Sequence, residues 1–236
     1  MQTAIIIPTY NERENVPQLV EEIARLALGA DVIIVDDNSP DGTGAVADAL
    51  RETYGWVHVL HRAGKLGLGT AYKDGMRYAL ARGAERIITM DADFSHHPRY
   101  LPDMLAASER YDVVIGSRYV PGGGTANWPL SRVLLSWTAN MVARLVLGLQ
   151  AHDCTAGFRC YRRHVLTALD LERIRSNGYS FLVEMLFYCQ QAGWRIGEVP
   201  ILFEDRRQGV SKISRQEIYK AALTVFRLRL AGGAGK

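Results

Sequence analysis

The 236-residue sequence predicts an α/β protein with a Rossmann-like, mostly parallel sheet and helices on both faces. Three observations favour this fold class. Strand-like and helical patterns alternate through the first half, which is typical of right-handed βαβ units. The run before Asp91, Ile87–Met90, is largely apolar, as expected for a buried parallel strand. Several runs end in short polar segments, the places where ligands bind in sheets of this kind.

The first half alternates predicted strands with predicted helices. The strands are Thr3–Pro8, Asp31–Asp36, His58–His61, Arg86–Met90 and Asp112–Ile115. The helices between them are Glu14–Leu28, Thr43–Tyr54, Gly69–Arg82 and Pro98–Arg110. If the strands are parallel, the polar segments that follow them lie at one edge of the sheet, where we expect a site. These segments are Thr9–Glu12, Asp36–Ser39, Asp91–Ser95 and Ser117–Tyr119.

The pattern changes after the glycine-rich segment Pro121–Gly124. The later elements are an amphipathic helix over Ser131–Leu149, a short strand over Gly157–Tyr161, a helix near Phe181–Gln191, a strand over Glu198–Phe203 and a last helix that ends near Leu230. We expect one domain over residues 1–230, made of a first half (1–120) and a second half (121–230) that contains the amphipathic extension. Residues 231–236 are expected to form a disordered tail.

The composition excludes several classes of protein. Hydrophobic residues make up 48% of the chain and charged residues 22%, as in ordinary soluble proteins, and the net charge of +3 is too small to indicate nucleic-acid binding. The chain enters a strand without a basic leader, so we predict no signal peptide. The longest apolar stretch, Val133–Leu149, is too short and too polar to span a bilayer. The cysteines 154, 160 and 189 lack metal-ligand spacing, which predicts buried thiols in a reducing compartment.

Two carboxylates one residue apart follow the fourth predicted strand. They belong to Asp91 and Asp93, and Ala92 lies between them. Side chains alternate along a strand, so both acids face the same way if extended geometry persists through Ala92. Carboxylate oxygens suit a hard divalent cation, whereas two acids in a loop also fit solvated turn formers or helix caps. The neighbouring motifs decide between these interpretations.

Acids also follow the second predicted strand. Asp36 and Asp37 are candidates to accept hydrogen bonds from the ribose or base of a nucleotide, whereas Asp41 is predicted to cap the next helix. The segments Pro8–Glu12 and Gly64–Thr70 lack the glycine spacing of dinucleotide-binding loops and P-loops. We interpret Gly64–Thr70 as a helix start that is approached closely by backbone.

A polar stripe is predicted on the helix over Ser131–Leu149. Its members are spaced four residues apart and are Arg132, Ser136, Asn140 and Arg144. A stripe of cations and neutral hydrogen-bonding groups, without acids, suits an anion. Arg118 lies at the end of the fifth predicted strand. It either forms a salt bridge to Asp91 or Asp93 or contacts a substrate phosphate, and we favour the phosphate.

Basic and bulky apolar residues in the second half favour contact with an anionic lipid surface. A late loop contains Arg206, Arg207 and Lys212, which also fit a solvated run of charge. The apolar candidates are Trp128, Leu134, Leu135 and Trp137. This combination suits lipid head groups at the surface of a membrane.

The ordered set of motifs resembles the polyprenol-phosphate (dolichol-phosphate) mannose synthases, which are family-2 glycosyltransferases of the GT-A fold. The matching segments span nearly the whole chain and are Pro8–Glu12, Asp36–Thr43, Leu66–Tyr72, Met90–Pro98, Gly116–Tyr119, Asp153–Arg159, Gly197–Pro200 and the late loop with Asp205, Arg206, Gly209, Ser211 and Lys212. An Asp-x-Asp pair alone is a weak signal, but this ordered set is specific. Ala156 departs from the pattern, since many members have Ser at that position.

The resemblance implies an inverting transfer of mannose from GDP-mannose to a polyprenyl (dolichyl) monophosphate, with Mg²⁺ or Mn²⁺ as cofactor. It places the nucleotide-sugar site in residues 1–120 and the acceptor site in residues 121–230. The nucleotide pocket would be lined by Pro8, Tyr10, Glu12, Val35, Asp37 and Ala92. Asp91 and Asp93 would hold the metal, with Ser95 as a third and poorer ligand. Arg118, Arg132 and Ser136 would bind the lipid phosphate, and Arg206 and Lys212 would close over the donor diphosphate.

The resemblance also implies a place in the cell and leaves two alternatives open. The chain resembles members without C-terminal transmembrane helices, so we expect a cytoplasmic protein peripheral on the cytoplasmic face of a membrane. That membrane would be the endoplasmic reticulum in a eukaryote or the plasma membrane in a prokaryote, and small membrane-anchor subunits are candidate partners. One alternative is a UDP-glucose-dependent polyprenyl-phosphate glucosyltransferase. The other is a noncatalytic module that binds anionic lipids.

Overall fold

The structure, a computed structural model, describes residues 2–204 and 215–233. The strands in these ranges are β1 (Thr3–Thr9), β2 (Ala30–Asp36), β3 (Val57–His61), β4 (Arg86–Thr89), β5 (Val113–Ser117), β6 (Gly124–Ala126), β7 (Arg159–Arg162), β8 (Ile196–Pro200) and β9 (Leu202–Glu204). The helices are α1 (Asn15–Arg25), α2 (Thr43–Thr53), α3 (Leu68–Ala81), α4 (Leu101–Ala107), α5 (Leu130–Leu147), α6 (Arg163–Ala168), α7 (Tyr179–Gln191) and α8 (Arg215–Gly233). None of the helices described is long and apolar enough to cross a membrane.

The main sheet confirms the predicted mostly parallel architecture. Its strand order is β3-β2-β1-β4-β7-β5-β8. Strands β1 to β4 run parallel, β5 pairs parallel with β8, and β7 is antiparallel to both of its neighbours. The carboxyl ends of the parallel strands therefore meet at one edge. The strand order reverses direction between β1 and β4, the point at which such sheets bind ligands.

The two faces of the sheet are covered by different helices. Along β1, Ile5 and Ile7 point into a cluster with α1, α2 and α4, whereas Ala4 and Ile6 point into a cluster with α3, α6 and α7. This alternation follows from the two-residue repeat of a strand. A third cluster joins α5, α7 and α8 beyond the far end of the sheet. Helices α5 and α8 are thus held by their inner faces, and no other part of the described chain covers their outer faces.

The second half departs from the sequence prediction at its strands. The single strand expected over Glu198–Phe203 is two strands, because the chain leaves the main sheet after Pro200 and β9 pairs with β6 in a separate sheet. Proline has no backbone N–H, so it is suited to the end of a strand. Strand β6 was not predicted. The strand expected over Gly157–Tyr161 begins at Arg159 and is the antiparallel β7.

The expected boundary near residue 120 does not divide the sheet. Strands β7 and β8 both lie after it, yet β7 is inserted between β4 and β5. The tail also differs from expectation, because α8 continues to Gly233 rather than ending near Leu230. Residues 234–236 lie outside the described residues.

The three cysteines are free and buried, as predicted. Burial raises the pKa of each thiol to about 12. A thiol with so high a pKa carries little thiolate at neutral pH and is a poor nucleophile. The cysteines are therefore packing residues.

Candidate active site

Asp36 joins the loops that follow β1 and β2 through hydrogen bonds. Its Oδ1 atom accepts hydrogen bonds from the hydroxyl groups of Thr9 at 3.0 Å and Ser39 at 2.6 Å. The backbone N–H of Asn11 in turn donates to the Ser39 hydroxyl at 3.0 Å. Asp36 is buried, and both of its carboxylate oxygens accept hydrogen bonds from the two loops. Of the two adjacent acids, Asp37 is therefore the better candidate for a nucleotide.

Asp37 is held by an arginine that the sequence analysis did not single out. The Arg62 guanidinium group donates to Asp37 Oδ1 at 2.5 Å and to the Thr70 hydroxyl at 2.6 Å. Burial raises the pKa of the Asp37 carboxyl above its ordinary value, and the charge of Arg62 offsets only part of this effect. The position of Arg62, directly after β3 at the same sheet edge, was the signal available in the sequence.

The first junction supplies Pro8, Tyr10 and Glu12 at the predicted edge. The Lys65 ammonium group lies 4.1 Å from the centre of the Tyr10 ring, a cation–π contact at the mouth of this region. The backbone N–H of Glu12 donates to the Thr43 hydroxyl at 3.0 Å. Asp41 accepts hydrogen bonds from the backbone N–H and hydroxyl of Thr43, the first residue of α2, although the N-cap position itself is Gly42. Asp41 thus binds the start of the helix from one position before the N-cap.

Two residues that the resemblance assigns to the nucleotide pocket, Val35 and Ala92, have buried side chains, and their assignment stays a prediction. The side chain of Val35 is fully buried against α3 and its neighbours, and that of Ala92 is buried in the opposite cluster. Both belong to the apolar core because β2 and the segment after β4 are covered by helices. Their side chains therefore do not line an open pocket.

Asp91 and Asp93 lie in a tight turn, the acidic turn (Asp91–Ser95), rather than on a strand. Strand β4 ends at Thr89, so the condition set for the two side chains to face the same way, that strand geometry persists through Ala92, is not met. Phe94 adopts a left-handed backbone conformation with φ of 65°, which is rare for a bulky side chain. Such strain persists only where the surrounding structure holds it, and it is concentrated at functional sites.

Ser95 stabilises the turn through Asp93. Its backbone N–H and hydroxyl group donate to Asp93 Oδ1 at 3.1 Å and 2.6 Å. Ser95 and Asp93 are buried, whereas the Asp91 side chain is 35% exposed. The hydroxyl group of Ser95 is therefore engaged by the carboxylate that it was expected to assist in metal binding.

Asp91 is positioned by two residues that the sequence analysis did not assign. The hydroxyl group of Tyr72 donates to Asp91 Oδ1 at 3.1 Å, and the backbone N–H of Asp91 donates to His96 Nδ1 at 3.0 Å. His96 is buried and stacks on Phe158 at 5.2 Å between ring centres. Burial and then the charge of Asp91 raise the pKa of Tyr72 well above its ordinary value, so its hydroxyl remains a donor. Both residues belong to segments that carry the family resemblance.

The acidic turn fits a divalent cation of the Mg²⁺ or Mn²⁺ type. Within the described ranges no cluster of three or more His, Cys, Asp or Glu side chains is arranged to hold a metal ion. A pair of carboxylates suits a cation that takes its remaining ligands from water and from substrate phosphates. Asp91 and Asp93 are the residues that would hold it.

Arg118 forms a buried ion pair with Asp153. Its Nε and Nη2 atoms donate to the two oxygens of Asp153, both at 2.7 Å, and Nη2 also donates to the Thr155 hydroxyl at 2.8 Å. Both side chains are buried. Burial by itself raises the pKa of Asp153, but the charge and hydrogen bonds of Arg118 outweigh it and hold the pKa below its ordinary value. The acid that Arg118 contacts is thus Asp153, whereas the sequence analysis weighed a salt bridge to Asp91 or Asp93 against the favoured contact with a substrate phosphate.

Arg118 and Arg132 share one aromatic side chain, and we call Arg118, Trp128 and Arg132 the arginine cluster. The Arg132 guanidinium group stacks 3.9 Å from the Trp128 ring centre, and that of Arg118 lies 5.6 Å from it. The Trp128 ring contacts both guanidinium groups and holds the two cations close together. The Tyr119 hydroxyl donates to Ser136 Oγ at 2.8 Å, which brings Ser136 to the same side of α5.

The residues of the polar stripe of α5 do not all face a possible anion, because Asn140 is buried. Asn140 is buried, and its side chain donates to the Ser136 carbonyl and accepts the backbone N–H of Cys154 at 2.7 Å. Asn140 therefore anchors the segment Asp153–Gly157 and is not available to an anion. Arg144 lies a turn further on and is partly exposed. Arg206 and Lys212, the predicted diphosphate ligands, lie outside the described residues.

Comparison with known proteins identifies one matching family model and two relatives that match over nearly the whole chain. Residues 4–169 match the model of Glycosyl transferase family 2. An undecaprenyl-phosphate mannosyltransferase of Micrococcus luteus is 47% identical over 231 residues, covering 98% of this chain and 95% of the relative. A polyprenol monophosphomannose synthase of Mycolicibacterium smegmatis is 46% identical over 233 residues, covering 98% and 88%.

Solved structures share the architecture at low sequence identity. Glucosyl-3-phosphoglycerate synthase of Mycobacterium tuberculosis, solved with Mn²⁺, UDP and glucosyl-3-phosphoglycerate, has a TM-score of 0.66 at 19% identity and covers 98% of this chain and 79% of its own. The mannosyltransferase PcManGT of Pyrobaculum calidifontis, solved with GDP-Man and Mn²⁺, has a TM-score of 0.62 at 15% identity and covers 100% and 64%. These likenesses confirm the GT-A fold.

Proposed function

Since the chain belongs to Glycosyl transferase family 2 and is therefore a glycosyltransferase, we propose that it transfers mannose from GDP-mannose to a polyprenyl monophosphate. The observation that carries this proposal is the position of the segment Asp153–Gly157. Asp153 binds Arg118 of the arginine cluster, and Gly157 lies against Tyr72 and His96, which hold the acidic turn. A turn suited to a metal-bound diphosphate and a cluster suited to a phosphate thus adjoin one short segment. The two relatives of known name support the same reaction.

The donor site is proposed at the edge formed by β1, β2 and the acidic turn. Tyr10 and Asp37 are placed to contact the nucleoside, and the acidic turn the diphosphate. A divalent cation, Mg²⁺ or Mn²⁺, held by Asp91 and Asp93 would neutralise the charge that develops on the departing diphosphate. Arg206 and Lys212, which lie outside the described residues, are proposed as further diphosphate ligands.

The acceptor needs no general base. A phosphate monoester has a second pKa of about 6, so at neutral pH it is mostly a dianion whose oxygen is already nucleophilic. That oxygen forms a bond to the anomeric carbon as the bond to GDP breaks on the opposite face, which inverts the configuration. Positive charge develops on the sugar, as in glycoside hydrolysis. We propose that Arg132 and Ser136 bind the acceptor phosphate and that the charge of Arg118 supports them.

The uncovered faces of α5 and α8 support a peripheral membrane contact. Apolar side chains on both helices face outward, among them Leu134, Leu145, Phe226 and Leu230, which are 60% to 78% exposed. Exposed arginines on α8 would add attraction to anionic head groups. We propose that the chain lies on the cytoplasmic face of a membrane through this surface, alone or with small anchor subunits.

Replacing Leu134 and Leu145 by Ser should reduce sedimentation with anionic vesicles, because two exposed apolar side chains of this surface are lost. Unchanged sedimentation would exclude this surface as the site of membrane contact.

Arg132→Ala is expected to raise the KM for polyprenyl phosphate about 10- to 100-fold. A hydrogen bond to a charged group contributes ~1.5–3 kcal/mol, and Arg132 is proposed to donate one to the acceptor phosphate. The KM for GDP-mannose should remain nearly unchanged. Steady-state kinetics with each substrate varied in turn measure the difference. Arg144→Ala, on the same stripe but away from Trp128, is the matched control, and equal losses for both substrates would show that Arg132 is structural.

The proposed function is tested by incubating the protein with radiolabelled GDP-mannose, Mg²⁺ and a short polyprenyl phosphate. Label that moves into the organic phase supports donor, acceptor and reaction together. The nearest alternative is a UDP-glucose-dependent transferase of the same fold, because base choice depends on few contacts. Comparing thermal stabilisation by GDP and by UDP, both with metal, distinguishes them. Binding to anionic vesicles without nucleotide affinity would instead favour a noncatalytic lipid-binding module.

A further inference from the structure

Tyr72 is a fully buried tyrosine whose hydroxyl group reaches the acidic turn. Its side chain has 0% exposure, stacks on Phe181 at 6.1 Å between ring centres, and donates to Asp91 Oδ1 at 3.1 Å. The residue belongs to the glycine-rich segment 64–72, which matches no nucleotide-binding loop. We propose that Tyr72 is a positioning residue that holds the Asp91 carboxylate in the orientation required to bind the metal. This inference rests on the proposed function, because it takes Asp91 as a metal ligand.

The glycines of this segment allow Tyr72 to reach that position. A Cβ atom at Gly69 would lie 3.0 Å from the Phe181 ring, and one at Gly67 would overlap the Asn177 amide. The side chain of Asn177 accepts the backbone N–H of Gly69 at 3.0 Å, which fixes the start of α3. Helix α3 therefore begins in close contact with the Phe181 and Asn177 side chains, rather than with the backbone that the sequence analysis expected. Tyr72, one turn later, is directed at the sheet edge beneath Asp91.

A third segment closes the space around the Tyr72 hydroxyl. A Cβ atom at Gly157 would lie 3.4 Å from that oxygen and 3.5 Å from the His96 ring. The Gly157 carbonyl accepts a hydrogen bond from the Thr89 hydroxyl at 2.7 Å, which ties this backbone to the end of β4. The phenol is thus surrounded by packed protein and directed at one carboxylate.

A carboxylate on a short, partly exposed side chain rotates easily, because the terminal torsion of Asp has a broad energy minimum. A hydrogen bond to Oδ1 restricts that rotation, while the backbone of Asp91 is restricted by His96. Groups that orient metal ligands in this way typically affect metal affinity 10- to 100-fold when they are removed. The same magnitude is expected for the hydroxyl group of Tyr72.

The test is Tyr72→Phe, which removes one oxygen atom and retains the ring. Mn²⁺ binding is measured by electron paramagnetic resonance of free Mn²⁺ in the presence of saturating GDP. The Kd for Mn²⁺ is expected to rise about 10- to 100-fold. GDP binding in EDTA and the melting temperature without metal should change little. Excess Mn²⁺ should restore turnover, which a loss of packing would not allow.

Tyr161→Phe is the matched control. Tyr161 is also buried, on β7, and its hydroxyl group lies 3.5 Å from an Arg159 nitrogen rather than beside Asp91. Its Kd for Mn²⁺ should stay within about twofold of the wild type. An unchanged Kd in Tyr72→Phe, or a variant that does not fold without metal, would overturn the inference. If the wild type itself binds no Mn²⁺ with GDP, the metal-dependent donor site of the proposed function fails, and that result is distinct.

Discussion

Asp93→Asn is expected to reduce turnover by up to about a thousandfold while the acidic turn stays folded. The amide oxygen of Asn can still accept both hydrogen bonds from Ser95. The negative charge is lost, and with it the affinity for a hard cation at the departing diphosphate. Removing one such source of transition-state stabilisation costs ~4 kcal/mol at the upper end of measured values. The measurement is kcat with saturating GDP-mannose across a Mn²⁺ titration.

Two comparisons separate charge from structure at this position. Asp93→Ala should lose similar activity but also stability, because Ser95 then has no acceptor. Asp103→Asn, an exposed position on α4, changes the same chemistry away from the site and should leave turnover unaffected. If Asp93→Asn retained most of the metal-dependent activity, Asp93 would not be part of a metal site.

Asp153→Ala is expected to lower the free energy of unfolding by about 3–5 kcal/mol, which is the usual cost of removing one partner from a buried ion pair. Arg118 would remain buried without its bidentate acceptor. Because the pKa of Asp153 is lowered in the folded protein, its stabilisation is complete above the ordinary aspartate pKa and is lost as the pH falls through the lowered value. The difference in the free energy of unfolding between the wild type and Asp153→Ala should therefore decrease below about pH 4. Guanidinium unfolding at several pH values measures both effects.

The control for this ion pair replaces both partners. Arg118→Met with Asp153→Leu leaves no buried charge, so it should cost less than Asp153→Ala alone. An exposed pair, Glu21 with Arg25, provides the opposite reference, since Glu21→Ala should change stability by at most about 1 kcal/mol. A loss below that value for Asp153→Ala would mean that Arg118 finds another partner and that Asp153 does not hold it.

The parallel half of the sheet could be predicted because its signals are local. Strands β1 and β2 contain continuous apolar runs, each intervening helix has its own periodicity, and the turns between the elements are short. The polar edge followed directly from that topology. The burial of the Val35 and Ala92 side chains could not be predicted in this way. A resemblance assigns residues to a site but does not show in which direction a side chain points.

The contacts that sequence analysis missed join segments far apart in the chain. The partner of Arg118 is 35 residues away and that of Asp91 is 19 residues away. No periodicity in a single sequence reports such a pairing, and Asp153 and Tyr72 stood in motifs without an assigned task. Strand β7 was missed as an antiparallel insertion for the same reason, because its four residues do not specify which strands they join.

Strand β7 also determines the order in which a newly made chain can complete its sheet. Until Arg159–Arg162 has left the ribosome, β4 and β5 lack the strand that joins them. Each then presents a row of unpaired backbone groups, and exposed edges of this kind promote association between chains. Fragments that stop before Arg159 are therefore expected to collect in inclusion bodies. Synthesis of this protein thus includes a vulnerable interval that ends only when the last third of the chain begins to emerge.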